Sequence, residues 1–307
     1  MAIRKQHRVS ITRRDFLTAT AAAVCPSVVV ASDSSHFRDI PSSGERIPAL
    51  GMGTWITFDV RDQRARETRL AVLREFFNRG GRLVDSSPMY GRSPDVVGYC
   101  LERLDNDSDL FSASKVWVNG ADKGVYQVER SAERWGLPRF DLVQVHNMVD
   151  WRSHLPVLKA MQAEGNLRYV GITTSHGRRH SALADALRRE QFDFVQFTYN
   201  IADRQAEQRL LPLAQDRGTA VIINRPFRTG ALFSRVRGKS LPGWAAEINC
   251  DNWAQVFLKF VIAHPAVTVA IPATSQARHM RENMGALTGP LPDESLRRRM
   301  AADFERI

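Results

Sequence analysis

Short runs rich in Val, Ile and Phe alternate along the chain with longer stretches whose apolar residues recur every three or four positions. The short runs occupy residues 48–55, 82–87, 110–117, 140–148, 168–175, 192–200, 220–227 and 268–275, and each reads as a strand. Residues 67–80, 93–104, 124–136, 153–165, 178–190, 204–218 and 252–265 lie between them and carry the helical period. Several of these stretches end on glycine or reach proline just beyond, as helix stops do. Strands of nearly continuous apolar character, separated by helices, imply a parallel sheet covered on both faces. Eight such units predict a closed (β/α)8 barrel, the TIM-barrel class of α/β folds, formed by residues 32–307 as one domain. An open dinucleotide-binding sheet would need G-x-G-x-x-G at the first strand-to-helix turn. "GMGTWI" at residues 51–56 supplies two glycines, lacks the third and opens no helix. The longest connection, 228–251, has the length of a functional loop.

In a barrel of this class the reacting groups gather at the C-terminal ends of the strands, where the loops form one mouth. Asp85 ends the second predicted strand, Lys115 the third and His146 the fourth, while Tyr90 follows on the loop after Asp85. Singly, each has a plain structural reading: Asp85 caps a turn, Lys115 is a rim charge, His146 is a core imidazole and Tyr90 closes the turn before Gly91. Together they fall at one rim, which favours a shared site. Their chemistry is coherent too. A phenol is a weak acid at neutral pH, and a neighbouring ammonium favours its ionised form. Lys115 is therefore expected to make Tyr90 a better proton donor, with Asp85 holding Lys115 and His146 orienting a carbonyl oxygen. His176 and His180 have the four-residue spacing of a helical metal pair, but no third ligand accompanies them and no metal is assigned. Trp151, after the fourth strand, either lines the mouth or packs under the rim.

Charge changes this picture little. Of the formal +10, residues 1–31 carry +4, and the remaining +6 is scattered without a basic run interleaved with aromatics. That pattern disfavours nucleic acid as a partner. Residues 1–31 join a basic region to a mildly apolar stretch too short and alanine-rich to span a membrane, and read as a removable export signal. Arg13-Arg14, followed by Asp15, Phe16 and Leu17, resembles a bacterial twin-arginine signal, and Val29-Val30-Ala31 offers a cleavage site. The expectation is a precursor handled by the twin-arginine export machinery, with the barrel destined for the periplasm or otherwise exported. Past that segment only Cys100 and Cys250 remain, too few for a disulfide framework.

At its rim residues the chain resembles the aldo/keto reductase family. Asp85 and Tyr90 of "VDSSPMYG", Lys115 of "SASKVW" and His146 of "VQVHN" match its Asp, Tyr, Lys, His tetrad in order. "GMGTW", "VGITTS", "VQFTYN" and "IPATSQARHMRENM" match further family segments, so the resemblance spans residues 44–287. It implies a nicotinamide cofactor, NADPH with NADH as the other possibility, extended across the barrel mouth, and a small carbonyl or alcohol substrate. By the same resemblance Gly53 and Thr54 approach the nicotinamide, and Thr173, Thr174 and Gln196 bind its carboxamide. Asn224, Pro226 and Phe227 follow at the end of strand seven, and Arg228, Arg235, Arg237 or Lys239 on the next loop contact the pyrophosphate. The segment with Thr274, Ser275, Gln276, His279, Glu282 and Asn283 holds the adenosine end.

Departures from the family pattern bear on the cofactor. Thr173-Thr174 stand where many members carry Ser-Asn. Ala273 and Gln276 stand where lysine is frequent and His279 where arginine is, which weakens the expected grip on a 2′-phosphate; Arg278 and Arg281 are candidates to compensate. Two functions follow from the resemblance: a carbonyl reductase or alcohol dehydrogenase, or a non-catalytic, regulatory nicotinamide-binding barrel serving a protein partner.

Overall fold

The computed structural model describes residues 35–105 and 109–307, so the signal expected at 1–31 lies outside the described residues. A short antiparallel hairpin, β1 (Phe37–Asp39) and β2 (Arg46–Pro48), precedes the barrel. Strands and helices then alternate: β3 (Met52–Gly53), α1 (Gln63–Asn78), β4 (Leu83–Asp85), α2 (Ser93–Leu101), β5 (Phe111–Val116), α3 (Ala121–Trp135), β6 (Phe140–Val145) and α4 (Trp151–Ala163). The pattern continues with β7 (Leu167–Thr173), α5 (His180–Arg189), β8 (Phe194–Thr198), α6 (Leu210–Asp216), β9 (Ala220–Asn224), α7 (Ala231–Arg235), α8 (Trp253–Ile262) and β10 (Val269–Ala270). Two further helices, α9 (Ala277–Met284) and α10 (Glu294–Arg306), complete it.

Strands β3 to β10 pair in chain order, every pair parallel. A parallel bridge between Leu50 and Ala270 joins the first strand to the last, with Gly51 N–H donating to Ala270 O and Ala270 N–H to Ala49 O, both at 2.9 Å. The sheet is thereby closed, as the eight predicted strands require.

Because side chains alternate along a strand, each strand sends every second residue inward. Near the N-terminal end the inward set is apolar: Leu83, Phe111, Leu142, Tyr169, Phe194, Ala220 and Val269 form one buried cluster. Ile40 and Ile47 of the hairpin belong to the same cluster and seal that end. Further along the same files the inward residues turn polar, giving Asp85, Lys115, Gln144, Thr173, Gln196 and Asn224 in adjoining strands. The alternate, outward residues, among them Val84, Val143, Ile172, Val195 and Ile223, join the larger core under the helices. The inward position at Gly171 has no side chain. A Cβ on Gly171 would lie 2.8 Å from Gln144 Cγ and 3.0 Å from Phe194 O, so glycine makes room for Gln144.

The structure corrects the sequence reading at the edges. The first and last predicted strands shrink to two paired residues each, because the closure runs through isolated contacts such as Gly53 N–H to Pro272 O at 3.0 Å. The 228–251 connection contains α7 and a 3₁₀ turn at Gly243–Ile248. Its outer part is clasped by α10: Trp244 Nε1 donates to Asp303 at 2.8 Å, and Arg235 donates to Glu305 O at 2.9 Å while stacking on Phe304.

Candidate active site

At the C-terminal mouth a cavity of about 510 Å³ is walled by residues from the strand ends and the loops that follow them. Asp85, Tyr90 and His146 all line it. Lys115 lies beneath, fully buried, and forms a salt bridge with Asp85 Oδ2 while donating to Ser86 O at 2.9 Å. These two acceptors leave one N–H of the ammonium, whose nitrogen sits 5.0 Å from the centre of the Tyr90 ring. Tyr90 meets His146 edge to face, with ring centres 5.6 Å apart. The four rim residues picked out in the sequence are therefore one cluster.

The other oxygen of Asp85 is held by a chain of amides. Gln144 Nε2 donates to Asp85 Oδ1 at 3.0 Å and Gln196 Nε2 at 3.1 Å; Gln196 also donates to Gln144 Oε1 at 3.2 Å. Asn224 Nδ2 continues the chain to Gln196 Oε1 at 3.3 Å and to Thr174 O at 2.9 Å, and Thr198 donates to Asn224 Oδ1 at 2.7 Å. Gln144, Gln196 and Asn224 face inward from three different strands, so the network braces the Asp85–Lys115 pair from behind.

Electrostatics differ from the sequence expectation at Tyr90. Burial, and after it the Asp85 carboxylate, pushes the phenol well above its ordinary value. The resting group is a neutral phenol, not one acidified by Lys115. Lys115 itself is pushed down by burial, with Asp85 acting in the opposite direction. His146 is held down to about 3 by burial first and the Lys115 ammonium second, so its imidazole is neutral near pH 7. Its Nδ1 lies 2.9 Å from Ser87 Oγ.

The cofactor positions taken from the family resemblance divide into two groups. Gly53, Thr54, Thr173, Thr174, Gln196, Asn224, Pro226 and Phe227 line the cavity. Thr274, Gln276, His279 and Glu282 lie on or just before α9, with Ser275 between them, while Asn283 is buried on that helix. Some candidate groups already have partners. Both N–H groups of Gln196 are engaged by Asp85 and Gln144. Thr173 Oγ1 accepts from Asn147 N–H at 3.0 Å but keeps its own hydrogen to donate. Thr54 Oγ1 donates to Asp85 O at 3.0 Å. Thr174 Oγ1, by contrast, is buried without a hydrogen-bond partner at the wall of the cavity. A buried hydroxyl without a partner is costly, and a carboxamide at this wall supplies what it lacks. The wall fits a nicotinamide.

The cationic positions are redistributed. Arg228 pairs with Asp203 at 3.4 Å, and Arg235 points to α10 as described above. Arg225, passed over in the sequence, lines the cavity, and its Nε is buried without a partner. Arg281 is gripped by both oxygens of Glu75, at 2.9 and 3.2 Å, and so is not free to compensate for the missing lysines, while Arg278 lies beside Glu282 at 3.8 Å. Ala273 lines the cavity beside Gly53, whereas Gln276 is exposed at the N-cap of α9.

Further side chains shape the mouth. His176 hydrogen-bonds Ser175 and Arg225 through its two ring nitrogens, and His180 packs edge-on against Phe197. Trp151 packs on Phe192 instead of lining the cavity. Ile56, Met89 and Phe233 line the cavity yet are exposed, giving the entrance an apolar rim. Ile56 has φ of 64°, a conformation that β-branched residues rarely adopt and that is found at functional sites.

The fold and site define the class, a (β/α)8-barrel enzyme with its polar machinery at the C-terminal mouth. The chain belongs to the aldo/keto reductase family, whose model matches residues 49–303, and it is an oxidoreductase. It is 27% identical to the methylglyoxal reductase YeaE of Escherichia coli (strain K12), over 81% of this chain and 89% of that one. It is 24% identical to the NADH-specific methylglyoxal reductase of the same organism, with coverage of 84% and 95%. Among solved structures it is similar to an aldo/keto reductase from Klebsiella pneumoniae in complex with NADP and acetate, at a TM-score of 0.70 and 25% identity, covering 89% of this chain and 94% of that one.

Proposed function

We propose that this chain reduces an aldehyde or ketone using a nicotinamide cofactor, with Tyr90 as the proton donor. The observation that carries the reading is the meeting of a neutral phenol and a neutral imidazole at one cavity, above a buried Lys115–Asp85 pair. When bound, the cofactor supplies a hydride to the carbonyl carbon. Thr174 Oγ1 and the hydroxyl of Thr173 would hold the carboxamide, and Arg225, which lines the cavity, would take the pyrophosphate. Tyr90 gives its proton to the carbonyl oxygen as negative charge develops there. An alkoxide is a far stronger base than a phenolate, so a phenol with a raised pKa still donates. The remaining N–H of Lys115 stabilises the phenolate left behind, and His146 orients the carbonyl. Purified protein supplied with NADPH and a panel of aldehydes, ketones and quinones, methylglyoxal included, tests this by loss of nicotinamide absorbance. Cofactor binding without turnover of any substrate would replace the enzyme with the regulatory nicotinamide-binding barrel.

NADPH is the preferred cofactor by a narrow margin, because Gln276 and His279 offer a 2′-phosphate no fixed charge and Arg281 is engaged by Glu75. A charge-assisted hydrogen bond contributes about 1.5–3 kcal/mol, roughly 10- to 100-fold in affinity, and the expected preference is smaller than that. Fluorescence titration with both cofactors measures it, and tighter NADH binding would reverse the assignment. Gln276→Lys should widen the preference for NADPH. Ala273→Lys should shift selectivity in the same direction.

Export through the twin-arginine pathway to the periplasm is the second part of the proposal, supported by Arg13-Arg14 and the weakly apolar stretch behind them. Changing both arginines to lysine should hold the precursor in the cytoplasm. Undiminished export of that variant would rule the pathway out.

A further inference from the structure

Ser87 sits between the Asp85 and Tyr90 positions and is fully buried. Its Oγ lies 2.9 Å from His146 Nδ1 and also accepts the Met89 backbone N–H at 3.2 Å. We propose that Ser87 is a positioning residue that fixes the tautomer of His146, placing the imidazole hydrogen on Nε2, where it is presented to the substrate oxygen. The proposal rests on the carbonyl-orienting role given to His146 above.

A neutral imidazole has one N–H and one bare nitrogen, and the hydrogen bond made by one nitrogen decides the state of the other. Ser87 has one hydrogen to donate and two lone pairs, one of them taken by Met89 N–H. If Nδ1 carried the imidazole hydrogen, Ser87 Oγ would accept twice, and its own O–H would point into a buried space without an acceptor. If Nδ1 is bare, the hydroxyl donates to it, and Ser87 Oγ and His146 Nδ1 are both satisfied. A buried unpaired donor costs more than a made hydrogen bond returns, so the second arrangement prevails. Nε2 makes no hydrogen bond to protein among the described residues, and His146 lines the cavity. The N–H is thus free for a ligand.

The same turn explains why the arrangement is held. The Met89 N–H to Ser87 Oγ contact is an i to i+2 side-chain turn, which sets the hydroxyl's direction before His146 is reached. Met89 and Tyr90 follow directly, with Tyr90 N–H donating to Ser87 O at 2.9 Å. One serine therefore ties the imidazole and the phenol to the same turn.

Nitrogen-15 NMR of the full chain labelled at histidine reads the tautomer directly, with His146→Gln used to assign the signal. The parent protein should show His146 Nδ1 as the bare nitrogen and Nε2 as protonated. Nδ1 found protonated would overturn the proposal whatever the enzyme's activity. Ser87→Ala should mix or reverse the tautomers and lower kcat roughly 10-fold, the worth of about one buried hydrogen bond, with cofactor affinity unchanged. Ser87→Thr, which keeps the hydroxyl, should restore both the tautomer and most of kcat. An Ala variant that keeps the parent tautomer would show that Ser87 does not set it. Because the NMR measurement needs no turnover, failure of the tautomer assignment is distinguishable from failure of the reductase reading.

Discussion

Tyr90→Phe is expected to lower carbonyl reduction by about 10²- to 10⁴-fold, the usual cost of removing a positioned general acid. Only the hydroxyl is lost. The ring keeps its edge contact with His146 and its place 5.0 Å from the Lys115 nitrogen, so the variant should fold as the parent does and bind the cofactor equally well. The fall should appear in kcat and kcat/KM together, because the missing proton acts in the transition state. The raised pKa of the resting phenol sharpens the expectation, since the group stays protonated across the working pH range and, among the described residues, no other phenol lines the cavity. Wild-type turnover by Tyr90→Phe with every substrate the parent reduces would remove Tyr90 from the mechanism.

The barrel was legible in the sequence because burial on both faces leaves strands no polar period to hide in. "FDLVQVHNM" and "FDFVQFTYN" are apolar runs that helices in this chain do not imitate, and both became central strands. Shorter elements escaped for the opposite reason. The hairpin strands β1 and β2 have three residues each, too few for any period, although Ile40 and Ile47 close the barrel floor. In α10 only Met300, Ala301 and Phe304 are buried among thirteen residues, so its apolar face is too thin to read against seven charged side chains. The two-residue strands β3 and β10 show where pairing is limited by closure rather than by composition.

Within the site, the tetrad was legible because strand ends share a rim, and the structure places all four residues there. Gln144 was available to the same logic and was missed. It stands two residues before His146, hence on the same inward file, yet a glutamine inside an apolar run draws attention only once Asp85 is known to lie opposite. Charge relations were the least legible. The sequence places Lys115 near Tyr90 but does not say that burial and Asp85 outweigh the ammonium at the phenol. Nor does it reveal that Glu75, more than two hundred residues away, captures Arg281.

Lys115→Met should be the most damaging single change to stability within the site, and it separates structural from chemical roles. The substitution keeps the volume and length of the side chain but leaves the Asp85 carboxylate buried without its counter-charge. Breaking a buried pair from one side costs about 3–5 kcal/mol, which in a barrel of this size lowers Tm on the order of 10 °C. Turnover should fall as well, because the phenolate formed by proton donation loses the ammonium beneath it. The double variant Asp85→Asn, Lys115→Met distinguishes the two losses. Its Oδ1 still accepts from Gln144 and Gln196, and no unpaired charge remains, so most of the stability should return. Activity should not. Thermal unfolding and single-turnover reduction, measured on both variants, read the two effects separately. A single variant as stable as the parent would show that the pair is not a buried ionic contact, and recovery of turnover in the double variant would show that Lys115 has no part in the proton transfer.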